Sequence, residues 1–167
     1  MKKRYTPLPR LWLMTDLRMG ERLIPAIKAL PGGAGVIFRH YGMERKARQA
    51  LLRDVGRIAK ARRLMLIVAG KGGKHGRFRG AITAPVHSVR ERIEAERAGV
   101  KLLFVSPVFS TSSHIDAKPL GRVRFGLLIR QSKCPVIALG GMSARRARSL
   151  RAFGIYGWAG IDAFTRR

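Results

Sequence analysis

The chain has 167 residues, 46% of them hydrophobic, and carries a formal net charge of +26 from 35 Lys and Arg against nine Asp and Glu. This is the length of one domain, with enough apolar material to bury a core without disulfides or a structural metal. The single cysteine, Cys134, excludes an intramolecular disulfide; set just before Pro135 at the start of a strand, it reads as a small apolar filler and not as a catalytic thiol.

The charge points to a polyanionic partner, either nucleic acid or substrates that carry phosphate. Basic residues are spread over nearly every segment, which suits solvated helix faces better than a dedicated groove. The few aromatic residues do not interleave with them as a base-stacking platform would, so nucleic acid is compatible with the composition but not favoured. Met1-Lys2-Lys3-Arg4 has the look of a basic leader, yet the apolar run that follows is cut at Asp16, short of the roughly 7–15 residues a secretory segment needs. The apolar run 64–69 is far below the roughly 18 residues that cross a bilayer. A cytoplasmic protein with no membrane partner is expected.

In chain order, short apolar runs at 11–15, 36–39, 64–69, 80–84, 101–105, 135–139 and 156–161 are the strand candidates. Most are continuous and not alternating, as in a parallel sheet buried on both faces. Between the second and third, Ala47, Leu51, Val55, Ile58 and Ala59 recur at helical spacing, with Arg48, Arg53, Arg57 and Lys60 on other faces. Ser88 and Glu91 form a capping box for a helix ending near Ala98, where Gly99 supplies the left-handed residue. Ser143 and Gly154 bracket a further helix, with Ala147, Leu150 and Phe153 on one face. Strands alternating with helices make a βα repeat. An eight-unit βα barrel needs about 200 residues or more, and the shortfall falls at 70–80, a basic Gly-rich stretch. The expected fold is a shortened TIM-type (β/α) barrel in a single domain over 1–167, its fourth βα unit reduced to a weak strand or a loop; an open, doubly wound sheet is the alternative.

In such barrels the working residues follow the C-terminal ends of the strands. After 135–139 come Gly140, Gly141, Met142 and Ser143, opening a helix: two glycines admit a ligand close to the backbone, and free N–H groups there bind anions. An ordinary turn with a serine cap would use the same residues. After 101–105 runs a loop with Ser106, Ser110, Thr111, Ser112, Ser113, His114 and Lys118, a set suited to phosphate esters, although a merely soluble loop is similar in composition.

His87-Ser88 before a helix, then Ser106-Pro107-Val108-Phe109-Ser110-Thr111, then Pro119-Leu120-Gly121, then Val136-Ile137-Ala138-Leu139-Gly140-Gly141-Met142 resemble, in order and spacing, consecutive motifs of the thiamine phosphate synthase and TenI-like (thiazole tautomerase) family. The resemblance covers roughly residues 80–164, and Leu11-Trp12-Leu13-Met14-Thr15-Asp16 resembles that family's first strand. It implies a barrel, and for the synthase branch a transferase that joins a pyrimidine diphosphate to a thiazole phosphate and releases pyrophosphate. By resemblance, Thr111 and Ser113 match hydroxyl positions, Gly140 and Gly141 match the thiazole-phosphate site, and Arg39 matches an arginine that holds the diphosphate through a charge-assisted contact. Arg39 could also pair with Asp16, and the two roles are compatible.

The chain departs from that family's pattern in several places. Ile37 and Tyr41 stand where a glutamine and a lysine flank the arginine. Ala69-Gly70 stands where an Asn-Asp pair is expected, and no carboxylate occurs between Asp54 and Glu91. Magnesium is expected from the family, but it takes oxygen ligands, usually including one or two carboxylates, so its usual site is expected to be missing. In its place stand Lys71, Lys74, His75, Arg77 and Arg79, which could neutralise a diphosphate or form a solvated loop. Pro107 replaces the tautomerase histidine, leaving His87 and His114 as acid or base candidates, each with a structural or phosphate-contact alternative. Closing the barrel would bring Asp162, where the family has a serine, near Asp16 and Arg39, as an acid/base site or as an ion-pair network. The function expected is a divergent thiamine phosphate synthase-like transferase. Its alternatives are a relative that binds or rearranges one phosphorylated small molecule and, less favoured, a basic nucleic-acid binder.

Overall fold

The computed structural model describes residues 7–111 and 118–164. Seven strands form one wholly parallel sheet: β1 (Leu11–Met14), β2 (Gly35–Phe38), β3 (Met65–Val68), β4 (Thr83–Val86), β5 (Leu102–Val105), β6 (Val136–Ala138) and β7 (Gly157–Gly160). Their order is β3-β2-β1-β7-β6-β5-β4, so the first strand pairs with the last. A doubly wound sheet would instead set β3 or β4 beside β1, and that alternative is not what the chain forms.

The sheet is strongly curled. Trp12 on β1 meets Phe104 on β5 edge to face at 5.3 Å between ring centroids, although β7 and β6 separate their strands. Room for the indole comes from Gly35 on the neighbouring β2, where a Cβ would lie 2.1 Å from the Trp12 ring. Edge strands β3 and β4 share no ladder. They are linked through one residue, His75, which makes isolated parallel bridges to Ala69 and to Thr83. The fourth βα unit thus lacks both a strand of its own and a helix. The strand expected at 80–84 sits later, at Thr83–Val86, because 78–81 turn: Gly80 has φ +90° and the Ala81 N–H donates to the Phe78 carbonyl.

Helices cover the sheet: α1 (Leu23–Ala29), α2 (Arg45–Ala61), α3 (Val89–Arg97), α4 (Gly121–Ile129) and α5 (Ala144–Ser149). The expected helical spacing is realised in α2, which buries Val55 and Ala59 fully. On α3 the Ser88 hydroxyl accepts from the Glu91 N–H and the Glu91 carboxylate accepts from the His87 N–H, while Gly99 follows at φ +78°. The segment bracketed by Ser143 and Gly154 is α5 followed by a short 3-10 turn, Arg151–Phe153. Ala147 and Leu150 are buried as expected, but Phe153 is 36% exposed, packed against Gly126 of α4 with Arg122 over its ring. Cys134 is half-buried, its thiol donating to the Val100 carbonyl, and burial with the nearby Glu96 pushes its pKa up. Among the described residues no helix is long and apolar enough to cross a membrane.

Replacing Gly35 by Ala drives a methyl into a fully buried indole that has nowhere to move. The expected cost is about 1–3 kcal/mol, an overpacking penalty, read as a lower urea midpoint at unchanged slope.

Candidate functional site

A cavity of about 460 Å³ opens where the strands end, lined from nearly every strand: Met14 at the end of β1, Arg39 and Tyr41 after β2, Pro85 in β4 and His87 after it, Ser106 and Pro107 after β5, Leu139 to Met142 after β6, and Gly160 at the end of β7 with Ile161 to Ala163 beyond it. Thr111 and His75 complete it. A concave, mostly apolar hollow with a few convergent polar groups is the usual form of a small-molecule site.

Arg39 is positioned by its backbone. Its N–H donates to the Thr15 hydroxyl at 3.0 Å, and that hydroxyl shares a second hydrogen bond with His40 Nδ1 at 2.9 Å. His40 occupies φ +34°, a strained setting for a residue with a Cβ, and is held there by Thr15 and by stacking on Phe38 at 4.9 Å. The Arg39 guanidinium lies 6.0 Å over the Tyr41 ring and, among the described residues, has no carboxylate within ion-pair distance. Asp16, its expected partner, instead accepts from the Arg18 N–H and Nε, each at 3.0 Å, and starts the turn Leu17–Arg22. Burial alone would raise the Asp16 pKa; the hydrogen bonds from Arg18 and the charges of Arg18 and Arg39 outweigh it and hold the carboxyl below its ordinary value.

On the opposite wall the Gly140–Gly141 turn is pressed against the loop after β5. A Cβ on Gly140 would lie 2.7 Å from Pro107 Cα, and one on Gly141 would lie 2.3 Å from the Ser110 carbonyl, with φ at +96° and +59°. Val108 and Phe109 donate their N–H groups to Leu139 and Gly140. Among the described residues the amides of Gly140, Gly141 and Met142 find no acceptor, which leaves three neighbouring donors on a loop that lines the cavity. Such a cluster of backbone N–H groups suits an anion.

Of the residues singled out in the sequence, Arg39, Thr111, Gly140, Gly141 and Asp162 line this cavity together. Ser143 does not: its hydroxyl accepts from the Arg146 N–H and caps α5. Lys118 is exposed and does not line it. Ser113 and His114 lie outside the described residues. Of the expected cluster of Asp16, Asp162 and Arg39, Arg39 and Asp162 line the cavity and Asp16 does not, although the Arg39 charge reaches it.

The basic stretch divides. Arg77 is anchored to α3 through Glu91 and Glu94, and Lys71, Lys74 and Arg79 are placed outside the cavity. His75 behaves differently from a solvated loop residue: it is 8% exposed, meets Phe104 edge to face at 5.5 Å, and its Nδ1 lies 2.8 Å from the Thr83 hydroxyl. Its Nε2 has no partner among the described residues. Burial, then the Arg39 charge, lowers its pKa from 6.5 to about 4, so the ring faces the cavity neutral. His87 Nδ1 meets the Ser106 carbonyl at 2.8 Å; a carbonyl only accepts, so Nδ1 carries the hydrogen and the neutral ring keeps a lone pair on Nε2. No sequence signal distinguished His75, because its placement depends on the sheet curling back to β4.

The His75 ring resists protonation in the folded chain down to about pH 4, yet takes a proton near 6.5 once unfolded. The unfolded state therefore binds more protons between those values, and stability drops as pH falls through that window. In urea titrations at a series of pH values, His75→Gln is expected to flatten this part of the wild-type profile.

Residues 77–164 match the family model for thiamine monophosphate synthase. The chain is 26% identical, over 94% of its length and 98% of the relative's, to the Aquifex aeolicus protein named "Putative thiamine-phosphate synthase 2". It is 35% identical over 49% of its length to the thiamine-phosphate synthase of Pyrococcus furiosus, of which the match covers 40%. In three dimensions it superposes on the thiamine phosphate pyrophosphorylase of Pyrococcus furiosus with a TM-score of 0.79 at 21% identity, covering 96% of this chain and 89% of that one, a likeness of fold. With the family model spanning more than half of the residues, the chain belongs to the thiamine monophosphate synthase family.

Proposed function

We propose that this protein is a thiamine phosphate synthase-like transferase. Arg39 would take the diphosphate of one substrate, and the amides of Gly140, Gly141 and Met142, with Thr111, would take the phosphate of a thiazole acceptor. The observation that carries this reading is the presence of two separate anion holders on one cavity, a guanidinium without a carboxylate partner among the described residues and three amides without acceptors. A hollow of about 460 Å³ has room for two small ring compounds. As the bond to the diphosphate breaks, negative charge grows on the leaving oxygen, and a guanidinium whose backbone is fixed by the Thr15 and His40 contacts can neutralise it with little reorganisation. We further read the curled sheet as a barrel whose seam is closed through His75, which fits the one-residue bridges.

A second reading, one phosphorylated small molecule bound and rearranged, draws on Asp162 and His87. Both line the cavity, and neither is needed to hold two anions.

Thiamine phosphate formation from the two family substrates separates the readings. Under the transferase reading Arg39→Ala cuts turnover at least about a hundredfold, the scale for removing one preorganised donor to developing charge. Gly141→Ala, which drives a methyl into the Ser110 carbonyl, is expected to raise KM for the thiazole phosphate more than it lowers kcat. No product from a folded protein that still binds thiazole phosphate would transfer support to the single-ligand reading.

A further inference from the structure

We propose that the diphosphate end of this site works without a divalent cation, its positive charge supplied by Arg39 and by Arg48, which is built into the ends of β2 and β3. The inference rests on the two-substrate reading above and names how its first anion is held.

The donor chemistry does not fit a magnesium ion. Among the described residues no group of three or more His, Cys, Asp or Glu could hold a metal. Asp16, Asp54 and the three glutamates of α3 are each engaged by an arginine, and Glu44 caps α2 through the Ala47 N–H. One described carboxylate, Asp162, lines the cavity, and it follows β7, two strands away from Arg39. At the end of β3 the chain has Ala69 and Gly70, and the space above Gly70 is taken by the Tyr41 ring, 3.1 Å from where a Cβ would be.

A fixed cation already stands at these strand ends. Arg48, reaching over from α2 with its guanidinium 5.1 Å over the Phe38 ring, donates from Nη2 to the Arg39 carbonyl at 3.2 Å and to the Ala69 carbonyl at 3.1 Å. Neither Arg48 nor Arg39 forms an ion pair among the described residues. A divalent ion would have to approach two guanidiniums with little carboxylate help, whereas a phosphate at Arg39 is attracted by both charges. Arg48 is a positioning residue here: it tethers the Arg39 carbonyl and adds field, while Arg39 lines the cavity.

Calorimetric titration of inorganic pyrophosphate into the whole chain, once in excess EDTA and once in millimolar magnesium, tests this. The expected result is the same affinity within about twofold in both, with Arg39→Ala weakening both by about tenfold or more, the scale for removing one charge-assisted hydrogen bond. In Arg48→Met, provided its thermal melt shows a folded chain, pyrophosphate affinity falls and magnesium now tightens it, a response that a merely structural role would not produce. Wild-type binding that magnesium tightens about tenfold or more overturns the inference alone. Pyrophosphate that binds under neither condition overturns the two-substrate reading, and the inference with it.

Discussion

An indole packed edge-on against a phenyl ring across the hollow of the sheet is the interaction on which the rest of this molecule depends. Trp12 and Phe104 belong to strands separated by two others, and their rings can meet only if the sheet rolls up between them. The roll is possible because Gly35 gives up its side chain to the indole. Once the sheet has rolled, the C-terminal ends of its strands converge, and residues 39, 75, 87, 111, 140 and 162 surround one opening. The same Phe104 ring meets His75 edge to face, so a single aromatic serves both the curl and the link across the seam.

The electrostatics of the opening follow from where the few carboxylates went. With 35 basic residues and nine acidic ones, most cations cannot be paired. The acidic side chains cluster on α3, where Glu91, Glu94 and Glu96 tie down Arg77, Arg90 and Arg92, the last nearly fully buried. This leaves the rim near β2 and β3 to Arg39 and Arg48. Their fields push the imidazole of His40 toward neutrality and that of Arg39 does the same to His75, adding to burial, which is the larger cause in each. The site is thus a positive rim above neutral rings, an arrangement that favours an anionic group attached to an uncharged heterocycle.

Much of this is legible in the chain alone. The ordered motifs from His87 to Met142 are local: a capping box, a hydroxyl loop and a Gly-Gly turn each declare themselves within a few residues, and the strands they follow are continuous apolar runs. What escapes such a reading are consequences of distance in the chain. His75 looks like one more polar residue in a basic loop because nothing nearby tells that Phe104 and Thr83 will bury it. Asp16 looks like a partner for Arg39, but the next turn offers Arg18 at closer range. Phe153 keeps helical phase with Leu150, yet the helix tightens into a 3-10 turn and moves the ring to the surface of α4. The strand before Ser88 begins three residues later than its apolar run because the chain is still turning at Gly80.

The one-residue link at His75 also sets where the molecule is most easily opened. Every other junction in the sheet is a ladder of two to four residue pairs, while β3 and β4 are joined only through the bridges at a single position and a few turn hydrogen bonds. Local unfolding costs least where the fewest backbone hydrogen bonds must break together. The junction of β3 with β4 is therefore where the sheet has least to lose on opening, and it lies away from the β7-β1-β2 region that carries Arg39.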